Sequence, residues 1–178
     1  MIERLYTPPH YPDIHDNKPS VFLAGPVQGA SDWQTPLARQ LLGARDDIVV
    51  MSPRRTEDDQ KKFDADEQKL WEFTTRDYTR QLGVTAFWWA AQDASIPYKT
   101  SRAYAQTSRI ELGGAIGWRT YDMSIPIVVG FDQNYEKMGG GSESYIRSLC
   151  RDRGIIVVDT TEDLESEILQ EVEKLCES

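Results

Sequence analysis

From residue 20 onward, short apolar runs alternate with stretches whose apolar residues recur every three or four positions. Val21-Phe22-Leu23-Ala24, closed by Gly25-Pro26, predicts a buried strand ending in a turn. Leu37, Leu41 and Leu42 follow at helical spacing, with Thr35-Pro36 as N-cap and first helical position. A second strand, Ile48-Val49-Val50-Met51, stops at Ser52-Pro53. Trp71, Thr75, Tyr78 and Leu82 then mark one face of a long amphipathic helix. The pattern continues with a strand over 84–89, a helix over 108–118 and a strand over 125–129. It ends with the strand Ile155-Ile156-Val157-Val158 and a helix striped by Leu164, Ile168, Val172 and Leu175. Asp159 with Glu162, or Thr160 with Asp163, would form the capping box of that last helix. Strands that are apolar throughout, rather than alternating, belong to a parallel sheet covered on both faces. Right-handed crossovers then favour a doubly wound, five-stranded, flavodoxin-like (Rossmann-like) α/β three-layer sandwich.

Residues 1–19 carry Pro8, Pro9 and Pro12 among polar neighbours and read as an irregular arm, leaving 20–178 as a single domain. The arm's His10 and His15 stand at no metal-ligand spacing, so no metal or other cofactor is expected. The 178 residues carry 29 acidic and 20 basic side chains, a net charge of −9. That balance argues against nucleic acid as a partner, because affinity for a phosphate backbone comes from clustered Lys and Arg. Two cysteines, Cys150 and Cys176, make no disulfide framework. The longest apolar run, residues 84–91, is too short for a membrane span, and residues 1–4 open no signal peptide. The expectation is a cytoplasmic protein with no membrane contact.

In a doubly wound sheet, ligands sit beyond the carboxyl ends of the strands. Three loops fall there: residues 25–32, 52–63 and 91–107. The third is long and mixes aromatic with polar residues, as an active-site lid does. Right after it, Thr107-Ser108-Arg109-Ile110-Glu111-Leu112-Gly113 sets a carboxylate in the first turns of a helix. On its own, Glu111 reads as a favourable charge near a helix N-terminus. The Gly139-Gly140-Gly141-Ser142 run lacks the Lys-Ser/Thr of a phosphate-binding loop and reads as a turn.

Taken in order, these blocks resemble the nucleoside 2-deoxyribosyltransferase-like family. The matching residues are Val21 to Pro26 with Asp32-Trp33-Gln34, then Ser52-Pro53-Arg54-Arg55, then Gln68 with Trp71-Glu72. Phe87-Trp88-Trp89 and residues 107–113 complete the set, which spans about residues 20–130. The resemblance implies that Glu111 is the catalytic nucleophile. Its carboxylate would attack the anomeric carbon of a nucleoside, displace the base and pass the sugar to another base. An oxocarbenium-like transition state suits a fixed carboxylate, and the departing base needs a proton donor. Six residues before Glu111, where the well-studied branch carries an aspartate, stands Ala105. Asp93, in the same loop, is then the expected acid or sugar-orienting group, with Tyr98, Tyr104 or a neighbouring subunit as the other sources of the proton. The branch's aromatic hydroxyl in the first strand falls on Phe22.

The resemblance further implies that Gly25, Pro26 and Gln28 line the sugar or base and that Arg54 or Arg55 closes the pocket. Trp33 and one of Trp88 and Trp89, which point to opposite faces of their strand, would stack on the base. Two alternatives accompany this reading. One is an N-glycosidase that hands the sugar to water, with Ser108 and Arg109 or the 139–142 turn holding a 5′-phosphate. The other is a nucleotide-binding module without catalysis. Related enzymes complete their site from a neighbouring subunit, so a homo-oligomer is expected.

Overall fold

A computed structural model describes residues 2–13, 17–98, 100–135 and 142–177, and every structural statement below concerns those residues. His15 and the glycines at 139–141 lie outside them. The strands are β1 (Leu5–Tyr6), β2 (Ser20–Ala24), β3 (Val49–Met51), β4 (Gly83–Trp89), β5 (Ile127–Phe131) and β6 (Ile156–Val158). The helices are α1 (Gln34–Ala44), α2 (Glu57–Gln60), α3 (Ala65–Gln81), α4 (Gln106–Tyr121), α5 (Glu143–Arg151) and α6 (Thr161–Glu177). All strand pairs are parallel, in the order β1-β3-β2-β4-β5-β6. Leaving out β1, the order is the flavodoxin-like 2-1-3-4-5.

The sheet thus has six strands, not five, and the arm is not irregular throughout. Leu5 and Tyr6 pair with Val50 and Met51 on the outer side of β3. A two-residue strand carries no periodicity, so nothing in the local pattern announces it. The arm is held further along as well. Trp71 Nε1 donates to the His10 carbonyl at 2.6 Å, and His10 stands 3.7 Å from Asp59.

β2, β4 and β5 are buried over their whole lengths, which explains why they read as continuous apolar runs. α1 and α6 pack together on one face, with Leu37, Leu41, Leu164, Ile168 and Val172 fully covered. α3 covers β2 and β4 and buries Trp71 against Phe22, ring centroids 6.1 Å apart. Two helix starts separate the sequence alternatives. Thr160 Oγ1 accepts from the Asp163 amide and donates to its carboxylate, so of the two candidate pairs it is Thr160 with Asp163 that caps α6. At α1 the expected Thr35 cap is replaced by Asp32, whose Oδ1 accepts from the Thr35 amide at 3.0 Å. Among the described residues, no helix is long and apolar enough to cross a membrane.

Candidate functional site

The loops after β2, β3 and β4 meet at the carboxyl edge of the sheet, around a cleft of about 430 Å³. Val27, Gln28, Gly29, Ala30 and Asp32 come from the first loop, Arg54 from the second, and Ile96 and Pro97 from the third. Arg54 builds this wall. Its Nε donates to Gln34 Oε1 at 3.0 Å and lies 3.2 Å from Asp32 Oδ1. Its Nη2 reaches the carbonyls of Val27, Ala30 and Ser31 at 3.1–3.3 Å. One guanidinium therefore fixes the whole 27–32 turn, and burial lowers its pKa from the usual value.

The long third loop closes onto the first. The Asp93 amide donates to the Gly29 carbonyl at 2.8 Å, and the Tyr98 ring lies against Gly29. Gly29 has φ +71°, and a Cβ there would stand 2.9 Å from Tyr98 Cδ2, so glycine is required on both counts. Tyr98 meets Tyr104 edge-on, and Tyr104 donates its hydroxyl to the Ala90 carbonyl at 2.9 Å. Burial, with Tyr135 beside it, raises the Tyr104 phenol far above its ordinary range, so it stays protonated.

Several expected pocket residues are placed elsewhere. Trp33 is buried, and its Nε1 donates to the Pro26 carbonyl. Trp88 packs over Gly130, and Trp89 stacks on Phe131 at 5.9 Å. Base stacking by these three is therefore corrected: all belong to the core, although Trp88 and Trp89 do point to opposite faces. Gly25 and Pro26 shape the turn without lining the cleft, whereas Gln28 lines it. Arg55 is not at the cleft. Its side chain is 2% exposed, paired with Glu67 at 2.6 Å and Gln68 at 2.8 Å.

Ser108 is buried, and Arg109 ties Tyr104 O, Tyr135 Oη and Ser142 Oγ together at 2.7–3.0 Å. Arg109 thus joins the start of α4 to the start of α5. Asp93 is half-buried and accepts from the amide and hydroxyl of Ser95, which together hold its carboxyl below the usual value. A carboxyl stabilised as the anion is a poor proton donor. Asp93→Asn is accordingly expected to slow substrates with good and poor leaving bases alike, by no more than about tenfold. Rates across a leaving-group series check this. A selective loss with poor leaving bases would restore Asp93 as the acid.

Glu111 sits in the second turn of α4 and faces α3 rather than the cleft wall. Its side chain is 14% exposed. Arg76 Nη1 on α3 stands 3.6 Å from Oε1, attracted but beyond hydrogen-bond length. Burial and the neighbouring Glu72 push the Glu111 pKa up to about 7, against the pull of Arg76. Ala105, at the position of the absent aspartate, opens α4 in a left-handed conformation, φ 55°, with its side chain in the core. The sequence reading assigned no role to Arg76, Glu72 or Gln68. Their four-residue spacing on α3 was the available signal. Among the described residues, no group of three or more His, Cys, Asp or Glu side chains is arranged to hold a metal ion.

No protein-family model and no curated protein matches the chain.

Proposed function

We propose that the protein is a nucleoside deoxyribosyltransferase that works through a covalent glycosyl ester on Glu111. The Glu111 carboxylate attacks the anomeric carbon; the C1′–N bond breaks, its electron pair leaves with the base, and the base takes a proton from solvent. The nitrogen of a second base then attacks C1′ and gives up its N–H proton to solvent, the C1′–O bond breaks, and the carboxylate is regenerated. The observation that carries this reading is the state of Glu111 itself. It is a largely buried carboxyl, attracted by one arginine at 3.6 Å and committed to no hydrogen bond, at the start of the helix that follows the third core strand. Its raised pKa makes it a stronger nucleophile once ionised.

The cleft at the carboxyl edge of the sheet, which Glu111 does not itself line, suits a flat heterocycle. Gln28 supplies an amide, Asp32 an acceptor and Arg54 a donor, with Ile96 and Pro97 as apolar walls. Nucleoside binding must uncover Glu111, which the free chain keeps mostly covered. The same reading takes the protein to be a cytoplasmic homo-oligomer that uses a nucleoside and a free base and needs no cofactor.

The test is trapping. A 2-fluoro nucleoside with a good leaving base should add one fluorosugar to the intact chain, mapped by peptide mass spectrometry to Glu111. A deoxynucleoside mixed with a free base should give the exchanged nucleoside. Free sugar without exchange would identify a hydrolase. Absence of both adduct and product overturns the reading. One observation favours a non-catalytic nucleotide-binding module: Asp93 is engaged in its own turn and Ala105 carries no acid. Tight nucleoside binding without turnover, measured by calorimetry, would establish that module instead.

A further inference from the structure

Gln34, the first residue of α1, is fully buried and lines no part of the cleft, yet it holds a residue that does. Its Oε1 accepts from Arg54 Nε at 3.0 Å, while its Nε2, equally buried, has no hydrogen-bond partner among the described residues. Both follow from the chemistry of the pair. A guanidinium carries only donors, so the amide must turn its oxygen toward Arg54 and leave its nitrogen in the core. A buried N–H without a partner is costly. Methionine would fill the same space without that cost, so packing alone does not account for a glutamine here. The rest of Arg54 shows what the bond does. Nη2 reaches the carbonyls of Val27, Ala30 and Ser31, and Nη1 has no partner among the described residues, although Arg54 lines the cleft. The guanidinium is a rigid plane, so fixing Nε and Nη2 fixes Nη1 as well. Asp32 also stands 3.2 Å from Nε, but it is exposed and already accepts from the Thr35 amide, which makes it the weaker hold.

We propose that Gln34 is a positioning residue for the cleft: by holding Arg54 Nε from the buried side it sets the plane of the guanidinium, so that Nη2 clamps the 27–31 turn and Nη1 is left to donate to an acceptor atom of a bound nucleobase. Gln34 touches no substrate and acts through Arg54 alone. The clamp is a property of the free chain. Only the donation to a base rests on the nucleoside reading above.

Gln34→Met and Gln34→Glu separate positioning from packing, because the two roles predict opposite orders. Methionine keeps the volume and removes the acceptor; glutamate keeps the acceptor and puts a charge in the core. The first readout, on the full chain without ligand, is exchange of the Arg54 Nε–H with water, followed by nitrogen-15 NMR and assigned through Arg54→Lys. Exchange should quicken about tenfold or more in Gln34→Met and stay within about threefold of the wild type in Gln34→Glu. The second readout is calorimetry with 2′-deoxyadenosine and thymidine as probes. Affinity for the probe that the wild type binds should fall about tenfold in Gln34→Met and less in Gln34→Glu. If Gln34→Met does not fold, judged by circular dichroism, Gln34→Asn, whose shorter amide falls short of Arg54, takes its place. The reverse order, with the methionine variant like the wild type and the glutamate variant impaired, makes Gln34 a packing residue and overturns the proposal. Unchanged Nε–H exchange in the folded methionine or asparagine variant overturns it as well. Faster exchange in a protein that binds neither probe keeps the clamp and removes the nucleoside reading. A glycosyl adduct on Glu111 with unchanged exchange does the opposite.

Discussion

Glu111→Gln should lose roughly 10⁴-fold or more in sugar transfer while its fold gains stability above neutral pH. The first half follows from chemistry. An amide oxygen is a poor nucleophile toward C1′ and brings no negative charge to an oxocarbenium-like centre. The second half follows from burial. In the unfolded chain a glutamate titrates near 4.5, whereas folding pushes Glu111 up to about 7. Between those values the folded state holds a proton that the unfolded state has released, so stability falls as pH rises through this window. Below 4.5 both states are protonated and the penalty vanishes. Above 7 it is complete, of order 3 kcal/mol. Glutamine has no charge to bury, so the gap between variant and wild type should open across this window. Urea unfolding of both proteins at pH 4 and pH 8 measures it. A variant that is inactive yet less stable at both pH values would mean that Glu111 is a structural ion-pair partner of Arg76.

Gly25→Ala should destabilise the fold by about 3 kcal/mol. Gly25 has φ +150°, a backbone that L side chains rarely adopt. An added Cβ would stand 2.3 Å from the Trp88 carbonyl oxygen and 2.8 Å from Trp33 Cζ2. The first contact is with the backbone of the central strand β4 and cannot be relieved by a side-chain rotation. Relief would move residues 25–30, and with them the turn that Arg54 clamps, so nucleoside binding should fall together with stability. Gly43→Ala is the matched control. Nothing lies within 4 Å of its would-be Cβ in α1, and helix propensity favours the change by about 0.8 kcal/mol. Chemical denaturation of the two variants beside the wild type separates the cases. A loss below about 1 kcal/mol at Gly25 would show that the turn is less constrained than its geometry states.

The alternation of strands and helices was legible because every central strand is covered on both faces and therefore almost wholly apolar, with Ser20 and Thr85 as buried polar exceptions. Element ends were less so. The run at 125–129 reads as a strand from Ile125, yet pairing begins at Ile127, because Pro126 has no N–H and enters the ladder only through its carbonyl, which accepts from Thr85. The β1 strand owes its existence to the open side of β3, which its own two residues cannot reveal. The site divides in the same way. Local blocks pointed to Glu111, but the Arg76 opposite it belongs to another helix, and only the packing of α3 on α4 brings the two together. Asp93 and Glu111 are both carboxyls near the same sheet edge. The Asp93-Ala94-Ser95 spacing was the available sign of a turn that satisfies its own carboxylate. The tryptophans show the limit of residue type as a guide: large flat rings fill a core as readily as they cover a base.

The meeting of Trp88 with Gly130 has a consequence for how this chain can vary. The two residues are partners across β4 and β5, and the indole fills the volume where a Cβ on residue 130 would come within 2.6 Å of its ring. Neither position is free to drift alone. A larger residue at 130 demands a smaller one at 88, and a smaller residue at 88 leaves a void above 130 until something grows to fill it. The pair also works as a notch. A slip of one residue between the two strands would set the indole opposite Val129 or Phe131, so a single tryptophan–glycine contact keeps the alignment of the central strands and must be inherited as a unit.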